Sequence, residues 1–510
     1  MNDSTDFAPA SRAIRDVDAL IVGAGVMGAI VAAQIRAADP AHRILMVDAG
    51  SPMGALGHHL HDNPDIDARR DFAARADTAN QEKYVRGGAD AGAAAPAAPF
   101  PGMHPLADFG HDTTAMPGAS VGWNVGGMSV HWAGAAPTPY GAEIPSAIER
   151  SEWDDDLRTA QHLLRVHADP YPRDVVGEAV LEVVDEVFGG ASAPGRHPQA
   201  MPVAIQPGAS GGMHRTGPSA IFPPIEFGGD ASFTLQHSTL VTRVLIEDGR
   251  AIGAALRGID GGDAETVRAA VVIVCADTFR TPQLLFASGI GGQAVGCYLN
   301  EHAFLAGTVL VDVARLGVAA PPSPLAGEWF TSSSWLPHSD AAQPFQGQIM
   351  QAPVAGANGG RDGYAATLAF YVPTDVRRVN RIRFSKDDVD RVGMPRMTVD
   401  FGYSDRDLAL IERAREDQAR LAARLGDFDP QQPPTLLPAG SSLHYTGTAR
   451  LGLEGDGTSV CDPEGRVWGV HGVLVAGNAV VPTALVANST LAGAVTAVRA
   501  GRAAAALLAE

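Results

Sequence analysis

Two unbroken apolar runs bracket a glycine-rich segment near the start of the chain. Ala19-Leu20-Ile21-Val22 reads as a buried strand, Ala29 to Arg36 as a helix, and Ile44-Leu45-Met46-Val47 as a second strand. Strand, helix and strand in that order predict a β-α-β unit and so a parallel sheet. Farther along, the pattern changes to alternation. Leu240 to Ile246, Ala255-Leu256-Arg257 and Val271 to Val274 read as strands, with Gly249 and the pair Gly261-Gly262 at the turns. Between 310 and 402 several short strands are expected, including Gly347 to Gln351, Ala365 to Tyr371, Arg381 to Phe384 and Met397 to Phe401, in an antiparallel sheet. Helical spacing marks 151–189, where Leu157, Leu163, Leu164, Val180 and Val184 recur among charged neighbours, and 405–425, which is Arg/Leu-rich and amphipathic. Residues 51–117 carry no period. Within them the Gly/Ala/Pro-rich piece from Gly87 to Pro105 reads as a long surface loop or lid. Residues 1–16 are polar and read as a frayed end. No repeat of 20–50 residues is visible.

Composition narrows the function classes. The 510 residues suggest two to four domain-sized units, and 45% apolar content predicts a globular chain. A net charge of −19 argues against nucleic acid and against an anionic membrane surface. The uncharged stretch Val473 to Val498 exceeds the ~20 residues of a membrane span, but Asn478, Pro482 and Asn488 fall inside it. Bare polar groups are costly in lipid, so a buried strand–loop–helix is the expectation. The three cysteines, Cys275, Cys297 and Cys461, have no metal-like spacing and form no disulfide framework. No metal site is expected. With no basic n-region followed by an apolar stretch, the chain reads as a cytoplasmic protein. Nothing in it sets an oligomeric state.

The first glycine segment carries specific chemistry. Gly23-Ala24-Gly25-Val26-Met27-Gly28 matches GxGxxG, follows an apolar strand and opens a helix. Gly23 allows the tight turn, Gly25 lets a pyrophosphate approach the backbone, and Gly28 permits close helix–strand packing. The helix N-terminus stabilises the phosphate charge. Asp48, at the end of the next strand, is placed to accept hydrogen bonds from a ribose. A dinucleotide site follows, but the motif alone does not separate FAD from NAD.

Four further segments carry a resemblance. They are Val125-Gly126-Gly127-Met128-Ser129-Val130-His131-Trp132; Thr281 to Gly291; Val295 to His302; and Gly477-Asn478 to Thr483 with Asn488-Ser489-Thr490-Leu491. In this order, together with the N-terminal loop, the chain resembles the glucose–methanol–choline oxidoreductases, a family of FAD enzymes. Gly-Gly-Met-Ser-x-His-Trp at 126–132, Gln343 to Ile349, and Asn380 to Ser385 with Met394-Pro395 are most similar to pyranose oxidases and their bacterial glycoside-oxidising relatives.

The resemblance implies an α/β fold. A Rossmann-like FAD-binding domain would be built from 16–135, 205–308 and 436–510. A discontinuous α+β substrate-binding domain on an antiparallel sheet would be built from 136–204 and 309–435. It implies that Gly126, Gly127 and Met128 meet the flavin, that Val241 lies at the adenine, and that Ala276 and Asp277 run along FAD. Asn478 would also bind the cofactor, and the helix opening near Ser489 and Thr490 would point its N-terminus at the flavin's pyrimidine edge, where it stabilises the anionic reduced form. His131 stands where fungal pyranose oxidases bond covalently to the flavin. Non-covalent FAD is the expectation here, with a bond through His131 as the alternative and a simple polar contact as the plainest reading.

The same resemblance places a catalytic pair at His444 and Asn488, with the flavin taking the hydride. A neutral imidazole removes the hydroxyl proton, while Asn488 donates to the hydroxyl oxygen or simply caps a helix. Gln348 is the candidate to bind a sugar hydroxyl, unless its side chain faces away from the site. Two departures from the fungal pattern matter. Ala133 replaces a Thr near the flavin, which puts oxygen reactivity in doubt. Met350 and Ala352 replace His and Asp, which makes the substrate loop less polar and admits an apolar aglycone. The implied activity is oxidation of a secondary hydroxyl of a pyranose or glycoside, at its second or third carbon, with O2 or a quinone as acceptor. The rivals are a dehydrogenase with another acceptor, a non-redox lyase on the same fold, and a flavin-binding protein without turnover.

Overall fold

The computed structural model describes residues 15–75, 101–172, 175–208, 212–262, 264–319, 330–354 and 363–510. Most of the Gly/Ala/Pro-rich piece, including Gly87, lies outside these residues, as does the N-terminal 1–14.

The β-α-β unit forms as its pattern predicts, with a helix longer than expected, Val26–Ala38. Arg15–Val22 and Ile44–Val47 pair in parallel, Ala19 opposite Ile44. They belong to a seven-stranded sheet ordered Phe233–Gln236, Ile44–Val47, Arg15–Val22, Ala264–Val274, Arg250–Gly258, Thr239–Glu247. Val473–Val475 also pairs in parallel with Ala264–Val274. The strands buried on both faces are the ones with continuous apolar runs, as a covered parallel sheet requires. Arg250–Gly258 pairs antiparallel with both Ala264–Val274 and Thr239–Glu247.

The C-terminal segment is strand, 3-10 turn (Asn478–Val480) and helix (Thr490–Leu508), packed against Val26–Ala38. Among the described residues this is the one helix long and apolar enough to cross a membrane, and it lies inside the protein. Its Arg499, 4% exposed, is held by Asp156 Oδ2 at 2.8 Å and by the Pro463 carbonyl at 2.9 Å. The partner comes from Arg150–Leu163, the first of two helices within 151–189; the second is Val175–Phe188.

A second, antiparallel sheet runs Gly426–Phe428, Ala303–Val311, Gly363–Val372, Gln346–Val354, Ser332–Leu336, Gln199–Ala200. Its period of two divides labour between the faces. Phe345, Ile349, Ala366, Leu368, Phe370 and Val372 pack on Val175–Phe188 and Asp405–Leu425. Gln348, Met350, Thr367, Ala369 and Tyr371 face a cavity between this sheet and the first.

Two expectations need correction. Arg381–Val389 and Pro395–Asp400 are not in this sheet. They form a separate two-stranded ribbon, because Ile382, Met397 and Val399 bury against Leu106, Phe109 and Phe279 instead. Residues 51–117 are also more ordered than their lack of period suggests. A helix covers 66–75, and Met103–Pro105 pairs with Ser120–Gly122.

Candidate active site

One cavity of about 1730 Å³ extends from the glycine loop to His444. Every candidate residue named above lines it, apart from Gly28. Gly28 does its work behind the wall: a Cβ there would stand 2.0 Å from the Gly23 carbonyl oxygen, so only glycine lets the helix sit against the strand. Gly23 has φ +108°, and a Cβ would stand 2.4 Å from the Cys275 carbonyl oxygen. Asp48 accepts from Ala24 N–H and Gly50 N–H, each at 2.7 Å, and so ties the loop to the end of the second strand. Asp277, at φ +61°, accepts from the Phe279 and Arg280 amides and caps its own helix. Burial pushes its carboxyl up to about 6.

Several groups around the cavity lack partners that such groups normally have. The helices Val26–Ala38 and Thr490–Leu508 both begin at the cavity wall, at Gly25 and Ser489, with no side chain capping them. Their first N–H groups therefore await acceptors. His131 Nδ1, Asn478 Oδ1 and Gln348 Nε2 are buried without a hydrogen bond. Unsatisfied, each would cost about 1–3 kcal/mol. Gly127, at φ +54°, has nothing within 4 Å of where its Cβ would be. A long ligand with phosphates at the glycine loop and a polar ring system beyond it fits these demands.

His131 has a definite tautomer. Asn124 Nδ2 donates to the Val125 and Gly127 carbonyls, which leaves Asn124 Oδ1 as acceptor for His131 Nε2–H at 2.9 Å. Nδ1 then carries the lone pair. Burial pulls the imidazole down to about 3, so it is neutral.

At the other end, five side chains form one directed chain. The Trp335 indole N–H can only donate, and it donates to Gln346 Oε1 at 3.1 Å. Gln346 Nε2 donates to Asn488 Oδ1 at 2.8 Å. Asn488 Nδ2 thus faces His444 Nε2, at 3.1 Å. From the opposite end, the Leu485 carbonyl can only accept, so His302 Nε2 carries hydrogen at 2.8 Å. His302 Nδ1 then accepts from His444 Nδ1–H at 3.0 Å. Both ends dictate the same result, a bare lone pair on His444 Nε2 next to an N–H donor of Asn488. Burial first, and His302 second, hold His444 well below its ordinary 6.5. Burial pulls His302 down to about 4. Both rings are neutral at physiological pH.

Two carboxylates position this pair, and sequence reasoning missed both, along with His302 and Gln346. Glu301 accepts from Gly440 N at 2.5 Å, Ser442 N at 3.1 Å, Ser442 Oγ at 2.8 Å and Leu443 N at 3.2 Å. It holds the turn that enters His444, in which Leu443 adopts φ +61°. Glu143 Oε1 accepts from Val486 N and Ala487 N, both at 2.6 Å, and holds the turn that enters Asn488. His302 and Glu301 lie inside a segment already singled out, but only proximity reveals their partners. Gln348 shares the face of Gln346, toward the cavity, which disposes of the outward reading.

Beside His444, Tyr371 stacks on Phe304 with ring centroids 4.7 Å apart and 12° between planes. The Tyr371 ring lies 4.9 Å from that of His444. Met350, Thr308 and Thr367 also line the cavity.

Comparison with known proteins gives the family. Profiles of the GMC oxidoreductases match residues 229–304 and 376–497. A C-glycoside 3-oxidase of Microbacterium trichothecenolyticum is 36% identical over 499 residues, covering 95% of this chain and 96% of the relative. A C-glycoside 3-oxidase of Arthrobacter globiformis is 34% identical, covering 96% and 95%. A pyranose 2-oxidase of Tricholoma matsutake is 25% identical, covering 74% and 71%. The crystal structure of pyridoxine 4-oxidase from "Mesorbium loti" superposes with a TM-score of 0.64 at 18% identity, covering 96% and 99%, which speaks for the fold alone. By sequence likeness over nearly its whole length, the chain is a member of the flavin-dependent GMC oxidoreductases, enzymes that act on CH–OH groups.

Proposed function

We propose that the protein binds FAD and oxidises a secondary hydroxyl of a pyranose or glycoside to the ketone. The observation that carries this reading is the bare Nε2 of His444 beside the Asn488 N–H donor, under the Gln348 face of the sheet. In this reading the first sheet and its helices hold the cofactor, and the antiparallel sheet holds the sugar. Gly23, Gly25 and the two uncapped helix starts would take the phosphates and the anionic ring edge, and Asp48 the ribose. Val241, Ala276 and Asp277 would line the adenosine half. Gly126, Gly127, Met128, His131, Asn478, Ser489 and Thr490 would surround the ring system. When bound, FAD supplies the hydride acceptor.

The chain's own groups do the rest. His444 Nε2 takes the hydroxyl proton, and His302 keeps His444 Nδ1 as the donor so that Nε2 stays unprotonated. Asn488 Nδ2 stabilises the charge growing on the substrate oxygen. Gln348 Nε2 is available to a neighbouring sugar hydroxyl. The Phe304–Tyr371 stack and Met350 suit the apolar part of a glycoside. The whole-length relatives act, by name, at the third carbon of a C-glycoside, and this supports C3 over C2.

A panel of sugars and glycosides mixed anaerobically with the purified enzyme should bleach the flavin, with a 3-keto product by NMR. A flavin that no member of the panel bleaches would sink the reading. Ala133 on the cavity wall favours a second acceptor besides O2, so turnover should be compared with oxygen and benzoquinone. Oxygen is expected to work, with one peroxide per ketone; no peroxide would make the enzyme a dehydrogenase.

In this reading the unpartnered Nδ1 of His131 makes a polar contact with FAD and no covalent bond. Acid precipitation should therefore leave all the yellow colour in the supernatant. A yellow pellet would instead show a bond to His131.

A further inference from the structure

We propose that Gln346 is a positioning residue that sets which end of the Asn488 amide faces the substrate. The inference rests on the functional reading above and names a residue outside the catalytic pair.

An asparagine amide has a donor end and an acceptor end of nearly the same shape, so its environment must choose between them. Here the choice is made 142 residues away in sequence. The Trp335 N–H has no acceptor form, so Gln346 must turn Oε1 toward it and Nε2 toward Asn488. Asn488 Oδ1 is consumed, and Nδ2 is left for His444 and the reacting oxygen. Gln346 is 1% exposed, so water does not replace its contact with Asn488 Oδ1. If the amide turned over, Asn488 Oδ1 would meet the bare Nε2 of His444, two lone pairs in a buried site. The titratable groups around His444 are His302 and Tyr371, with Glu301 beneath its turn and Glu143 beneath that of Asn488. His302, Glu301 and Glu143 are fixed by contacts that do not involve Gln346, while Tyr371 pairs with it through the backbone of the sheet.

Two variants test this on the flavin-loaded enzyme. In Gln346→Glu an ionised carboxylate accepts from Trp335 and needs a donor from Asn488, so the amide reverses, whereas a protonated carboxyl would donate as Gln346 does and leave the amide unturned. His444 Nε2 is then expected to hold a proton at pH 7. Long-range 1H–15N spectra of histidine-labelled protein read this directly, with the His444 signal assigned by its absence in His444→Gln. The wild type should show hydrogen on Nδ1 only. Gln346→Met keeps the bulk but removes both hydrogen bonds. It should slow anaerobic flavin reduction by about tenfold or more with little change in KM, since the lost contact is made to charge that develops in the transition state.

A bare Nε2 in Gln346→Glu when the 13C shift shows the introduced carboxyl ionised, or wild-type reduction by Gln346→Met, would overturn the proposal. So would a rate loss matched by lower FAD content or a lower Tm, which would make Gln346 merely structural. Persistence of the extra proton in Gln346→Glu/Asn488→Ala would attribute it to charge alone and would equally reject amide reversal. The spectra decide the matter even if no glycoside bleaches the wild type, so failure of the functional reading would be seen separately.

Discussion

His444→Ala should slow anaerobic flavin reduction by a saturating glycoside about 10²–10⁴-fold, the usual worth of a positioned general base. The loss should fall on the reduction step and leave FAD content unchanged, because the ring's hydrogen bonds go to His302 and Asn488. The pH profile adds a second reading. His444 must be neutral to act, and burial holds it well below 6.5. For the wild type, kcat/KM should therefore stay flat as pH falls through 6.5 and decline only below it, where the depressed group begins to protonate. Reduction by His444→Ala at the wild-type rate would remove His444 from the mechanism. An acid limb centred at or above 6.5 would mean that the ring is solvated during catalysis.

Asp156→Ala should destabilise the fold by about 3–5 kcal/mol, because it leaves the buried Arg499 without its main counter-charge. Asp156 is 1% exposed at its side chain and Arg499 4%. The remaining partners of Arg499 are weaker: Glu152 is 57% exposed and Glu464 42%. Arg502, which also reaches Asp156, is half exposed and adds little. The effect should reach the site, since Arg499 lies on the helix whose start, at Ser489 and Thr490, lines the cavity. Urea unfolding of the holoenzyme is the measurement, with FAD release followed in parallel. Asp156→Leu combined with Arg499→Met should recover much of the loss, as paired apolar replacements of buried ion pairs often do. An unchanged urea midpoint for Asp156→Ala would show that the exposed acids suffice.

Much of the site was legible in one dimension where the chemistry is local. GxGxxG encodes a turn, a close approach and a helix start within six residues, and Gly23 and Gly28 have their reasons in contacts with the adjacent strand's end and with nearby backbone. Period-two alternation correctly assigned Gly363–Val372 and Gln346–Val354 to a sheet with one buried face. The same alternation misplaced Arg381–Val389. That strand has a normal pattern, but its apolar side chains found Phe109 and Phe279 rather than the larger sheet. Periodicity records that a face is buried and not what buries it.

By itself, then, the sequence determined the strand–loop–helix that can hold a dinucleotide, the alternating strands of the second sheet, and which histidine and asparagine to examine. The first two follow from spacing along the chain, which dihedral preference and burial translate directly into local geometry; the pair follows from the resemblance of its segments to the family. Only the tertiary structure decided how the pair works. His302 meets His444 across 142 residues, and Glu143 holds the Asn488 turn across 343. A hydrogen bond's direction is set by what its partner can donate or accept, and here the deciding partners are an indole and a carbonyl brought in by folding. The lone pair on His444 Nε2 is a property of that assembled chain and of no segment within it.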